Sequence, residues 1–166
     1  GTTPFAEGAE LALYADAAYG EDLRRTAGDG DVSALLRAHV STLGPGDYFG
    51  INAFIEMNDA HVAALTAVRA RVRDHKRVAT TVGFGPRFLH STGQLHKGGA
   101  NSGVFLQLTA DHARDLAIPG DKSTFGVLAQ AQALGDFEVL VERKRRALRV
   151  HLGVDIARGL ATIAQA

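Results

Sequence analysis

Five short runs rich in apolar, β-branched or aromatic residues recur along the chain, separated by segments long enough for a helical crossover. They are "ELALYAD" (Glu10 to Asp16), "DYFGINAF" (Asp47 to Phe54), "VATTVGF" (Val78 to Phe84), "GVFLQLT" (Gly103 to Thr109) and "ALRVHLG" (Ala147 to Gly153). All five read as strands. Helical spacing fills gaps between them, as in Val32, Leu35, Leu36, His39 and Val40, and again in Val62, Leu65, Val68 and Val72. After the last strand, Ile156, Leu160 and Ile163 share one face of a terminal helix. Parallel neighbours need long connections and burial on both faces, so the alternation predicts an α/β three-layer sandwich. Its sheet is expected to be five-stranded and mostly parallel.

The chain has 166 residues, which suits one domain with a single core. Lys plus Arg and Asp plus Glu both number 18, so there is no global field to gather nucleic acid or an anionic membrane. Cysteine is absent, which excludes disulfides, thiolate metal sites and thiol nucleophiles and accords with a cytoplasmic setting. No run approaches the roughly 18 apolar residues of a membrane span. The start "GTTPFAEGAE" lacks both an initiator Met and a signal-peptide layout, as expected of a piece of a longer protein.

Ligands of such a sheet bind outside the carboxyl ends of its strands, where loops lead into helices. "GDGD" (Gly28 to Asp31) and "GPGD" (Gly44 to Asp47) are turn signals, and Asp31 suits a helix N-cap. The basic run "ERKRRALR" (Glu142 to Arg149) straddles a helix end and a strand start, where cations suit the helix dipole, and reads as solvated surface.

The densest polar stretch, "GPRFLHSTGQLHKGG" (Gly85 to Gly99), follows directly on the third of the five strands. On a helix, Arg87, His90, Gln94 and Lys97 form one narrow stripe at spacings of three, four and three, while Phe88, Thr92 and Leu95 form a packing face. His90 and His96 would point about 120° apart, and no carboxylate lies in the stretch, so metal chelation is disfavoured. The P-loop order and the dinucleotide fingerprint are both missing. An anionic ligand fits better. Helix N–H groups with Arg87 and Lys97 can offset a phosphate, and His90 is suited to moving a proton near neutral pH. The residues alone leave open whether this is a site or a solvated helix on which His90 merely caps or packs.

"GFGPRFLHSTGQLHKGGANSGVFLQLT", with "LYAD" before it and "FGVLAQAQALGDFEVL" and "RALRVHLG" after it, resembles the C-terminal sugar isomerase domain of the bifunctional transaldolase/glucose-6-phosphate isomerase family. The resemblance spans nearly the whole chain, and "RFLHSTGQLHKGG" is its most specific piece. It implies a single flavodoxin-like sugar isomerase domain over residues 1–166, a phosphorylated sugar as ligand, and upstream isomerase and transaldolase domains as partners. It implies no cofactor, metal, nucleic acid or membrane; a homodimer partner is a further source of site residues.

The implied reaction interconverts glucose 6-phosphate and fructose 6-phosphate through ring opening and an enediol. By that resemblance His90 takes the ring-opening position, Gln94 and Leu95 follow in step, and His96 is displaced by one residue. Arg87, Gln94, His96 and Lys97 become the expected substrate-binding set. Two departures mark a partial site. The base is a glutamate in an "ESTGK"-like segment, which does not occur here, and Glu56 and Asp111 sit in no matching motif. The lysine of "FGVELGK" is also missing where the chain reads "LAQAQA", with Lys122 just upstream. Two functions are therefore weighed, an isomerase portion and a non-catalytic sugar-phosphate-binding module of the same fold.

Overall fold

The computed structural model describes residues 3–85, 100–111, 119–120 and 125–166. Chain order is β1 (Ala6–Gly8), β2 (Leu11–Tyr14), α1 (Ala17–Ala27), α2 (Val32–Ser41), β3 (Tyr48–Phe54), α3 (Asp59–Lys76), β4 (Ala79–Phe84), β5 (Gly103–Thr109), α4 (Phe125–Glu142), β6 (Arg146–His151) and α5 (Ile156–Gln165). The helices begin on side-chain caps where the sequence offers them. Asp31 accepts from the Ala34 N–H, Asn58 from that of His61 and Asp155 from that of Arg158.

The described strands form one sheet in the order β1-β2-β6-β5-β3-β4. Pairs β3–β4, β3–β5 and β5–β6 are parallel, while β2 runs antiparallel to both β6 and β1. The α/β sandwich stands, but a five-stranded, mostly parallel sheet is corrected to a six-stranded mixed one. The reason lies in the first hairpin. Ala9 and Glu10 turn the chain with φ of 51° and 64°, a tight turn with two left-handed residues that carries β1 back along β2. The pair so formed then caps the free edge of β6.

Both faces of the central parallel strands β3 and β5 are buried, which explains their apolar runs. Along β5, Leu106 faces a core built with Leu23, Leu35, Leu65 and Leu160 from α1, α2, α3 and α5. Its neighbour Phe105 faces the other side, against Phe137 and Leu140 of α4. The sheet is thus the middle of three layers.

The connections set the edge at which ligands of such a sheet are expected. After β3 the chain turns to α3 on one face, whereas the chain that leaves β5 returns through α4 on the other. Adjacent parallel strands that depart to opposite faces leave a crevice between their carboxyl ends. That crevice lies between Phe54–Glu56 and Thr109–Asp111.

Candidate site at the carboxyl edge of the sheet

Two backbone bonds rivet the ends of β5 and β6 together. The Leu152 N–H donates to Thr109 O at 2.8 Å and the Asp111 N–H donates to Gly153 O at 2.9 Å. On this frame three side chains form a chain of hydrogen bonds. His151 Nε2–H donates to Asp111 Oδ1 at 3.0 Å, and Nδ1 stands 2.9 Å from Thr109 Oγ1, whose hydroxyl proton it accepts when the imidazole is neutral. Burial grades along the chain: Thr109 is buried, the His151 side chain is 22% exposed and that of Asp111 52% exposed. The carboxylate is the end that meets solvent.

Register extends this polarity across the sheet. Tyr14 pairs with Arg149, Arg149 with Gln107, Gln107 with Asn52 and Asn52 with Gly83, so one row runs from β2 to β4 on the face that α4 covers. The Arg149 guanidinium lies 5.0 Å from the Tyr14 ring centroid, and burial holds its pKa below the ordinary arginine value against the opposing effect of Tyr14. Gln107 Nε2 donates to Ala133 O of α4 at 2.9 Å. Its Oε1 and the Nδ2 of Asn52 are buried without a hydrogen-bond partner among the described residues. Such groups cost roughly 1–3 kcal/mol each and are tolerated mainly where a structure has a use for them.

Across the crevice, Glu56 lies beyond β3. Its carbonyl accepts from His61 Nδ1–H at 2.7 Å, tying the loop to the first turn of α3. Beside it, β4 ends at Phe84, and the Gly85 N–H donates to Ala53 O at 2.7 Å. A Cβ on Gly85 would stand 2.5 Å from the Phe54 ring, so glycine is required where the chain leaves the sheet.

Arg87, His90, Gln94, His96 and Lys97 all lie outside the described residues, as does Lys122. The point from which that stretch departs, the carboxyl end of β4, lies within them. β4 and β5 flank β3, so the stretch leaves the sheet about 10 Å from the end of β5. Of the two carboxylates noted in the sequence, Asp111 belongs to the hydrogen-bonded chain. Glu56 contributes its carbonyl. Asn52, Gln107 and Thr109 have a plain signal in the sequence, each a polar residue in a strand otherwise buried on both faces, while Arg149 and His151 are half-buried on β6 and carry a weaker one.

Among the described residues no three His, Asp or Glu side chains stand together as metal ligands, and no helix is long and apolar enough to cross a membrane. A cavity of about 770 Å3 lies away from this edge, between α2, α3 and the end of α5. Leu36, Phe49, Val68 and Val72 line it, with Arg37 and Lys76 at its border, and none of the carboxyl-edge groups reaches it.

No family model and no curated protein matches the chain. Its fold is similar to that of a solved structure described as a hypothetical protein, TT0462, from Thermus thermophilus, with a TM-score of 0.63 at 17% identity over 89% of this chain. The chain spans 42% of that protein's length. The likeness establishes the fold.

Proposed function

We propose that the chain is the C-terminal sugar isomerase domain, flavodoxin-like in type, of a glucose-6-phosphate isomerase within a transaldolase fusion. The observation that carries this reading is the place from which "PRFLHSTGQLHKGG" departs: the carboxyl edge of the parallel strands, beside the β3–β5 crevice. A phosphorylated sugar is the ligand that suits that edge and the cationic stripe together, with no cofactor needed. His90 protonates the ring oxygen as the sugar opens. Arg87 and Lys97 attract the phosphate, and Gln94 and His96 take the hydroxyls. The upstream domains complete the phosphate site, a homodimer partner adds further residues, and the setting is cytoplasmic.

An isomerase assay of this chain, alone and mixed with the upstream half, tests the reading. Turnover that appears on mixing and is lost in His90→Ala supports it. In the complete enzyme, His90→Gln should reduce turnover of cyclic substrate far more than that of an open-chain analogue; equal losses would remove the ring-opening role. The absence of an "ESTGK"-like run favours the second reading, a binding module without turnover. Fructose 6-phosphate binding with no isomerisation in either setting would select it.

A further inference from the structure

The cavity between α2, α3 and the end of α5 has an apolar interior and a cationic mouth: we propose that it binds an amphipathic carboxylate of the medium-chain fatty acid class. The inference is independent of the sugar-phosphate reading, which concerns the opposite edge of the sheet.

Phe49 of β3 and Leu106 of β5 form the floor, and Leu36 of α2, Val68 and Val72 of α3 and Ile163 of α5 form the walls. All six belong to one apolar core cluster. The space between them, about 770 Å3, falls within the roughly 300–1,000 Å3 of small-molecule sites. Close-packed interiors keep few voids larger than a water molecule, and an apolar one takes apolar guests. The polar side chains deep in the lining have no bonds left to offer. His39 has both ring nitrogens engaged, one with Phe105 O and one with the Tyr19 hydroxyl, and Ser41 Oγ donates to Ala38 O. A nucleobase or a sugar buried among them would leave its own donors and acceptors unpaired. The buried part of the ligand is therefore hydrocarbon.

The mouth lies where α2 and α3 end, at the amino ends of β3 and β4. Arg37, Arg71, His75 and Lys76 border it together with one carboxylate, Asp74, which already pairs with Arg73. Arg37, Arg71 and Lys76 have no ion pair among the described residues. Arg71 donates to Ala164 O and so ties α3 to the last turn of α5. His75 and Lys76 suit the carboxyl end of α3 on their own account. Arg37, midway along α2, and Arg71, before the last turn of α3, have no such reason. In a chain whose charges cancel, three cations around one apolar mouth complement an anionic head group. A second hollow of about 360 Å3 shares His75 and Lys76 with the first and adds Arg77, which gives that head group room to emerge.

The test titrates the isotope-labelled 166-residue chain with octanoate, followed by amide NMR. Saturable shifts are expected at residues 36–41, 68–76 and 163–166, with a Kd below about 1 mM. Hexanoate, shorter by two methylenes, should bind about tenfold more weakly. 1-Octanol, without the charge, should bind about fivefold more weakly than octanoate. The double variant Arg37→Gln, Lys76→Gln should abolish that preference and leave 1-octanol affinity unchanged, a split that damage to the fold would not produce. Ala164→Trp, at the half-buried rim, should block both ligands, with thermal melting checking that the variant folds. Equal affinity for octanoate and 1-octanol overturns the proposal, as does a double variant that keeps the preference. Octanoate shifts confined to other residues overturn it too. So does a chain that ignores octanoate but binds phosphatidylglycerol vesicles, or one that buries this face in a dimer. Fructose 6-phosphate binding at the carboxyl edge stands or falls separately from each of these results.

Discussion

His39 is fully buried on α2, where Nε2–H donates to Phe105 O at 2.8 Å and Nδ1 accepts from the Tyr19 hydroxyl at 2.7 Å. Both nitrogens are thus committed to the neutral ring. Burial pushes its pKa down from 6.5 to about 4, partly opposed by the Phe105 carbonyl and assisted by the charge of Arg146. The unfolded chain takes up a proton below pH 6.5 that the fold refuses until about pH 4, so His39's contribution is fully present above 6.5 and is lost as pH falls through that window. Urea unfolding should show stability falling by about 3 kcal/mol across it from this group. His39→Gln should lower stability at neutral pH but flatten that slope; an unchanged slope would show that His39 is not its source. At the same scale, Asn52, Gln107, Thr109, Arg149 and His151 were visible in the sequence as polar letters inside apolar runs. That they share one face, and that His151 meets Asp111, depends on pairing between β5 and β6 across an intervening helix, which local pattern does not specify.

The strands of the parallel core were legible as elements because burial on both faces writes them as continuous apolar runs. Gly103–Thr109 is found at its expected bounds and Asp47–Phe54 within one residue. The β1–β2 hairpin was not legible. β1 has three residues, and its turn uses Ala9 and Glu10 in place of the Asn-Gly that usually announces such a connection. Each non-glycine residue held at these angles costs on the order of 1 kcal/mol. The double substitution Ala9→Asn, Glu10→Gly should therefore raise stability by about 1–2 kcal/mol, measured by chemical unfolding, since the Glu10–Arg158 pair it removes is exposed on both sides. A destabilised double variant would mean that the turn does not take this form in solution.

For the molecule as a whole, alternation of strands and helices correctly implied a sheet between two layers of helices. It did not give the sixth strand or the antiparallel edge, because two strands joined by a tight turn look the same in sequence whichever neighbour they add to. The same topology gives the functional account its physical basis: parallel strands bring the carboxyl end of β4, the end of β3 and the Thr109–His151–Asp111 chain to one edge. The large apolar cavity lies elsewhere and offers a competing location for any ligand. Titration of the isotope-labelled chain with fructose 6-phosphate, followed by amide NMR, decides between them. The account predicts saturable shifts at residues 54–56, 85–99, 109–111 and 151–153. Shifts confined to the surroundings of Leu36, Phe49 and Val72, or none at millimolar ligand, would contradict it.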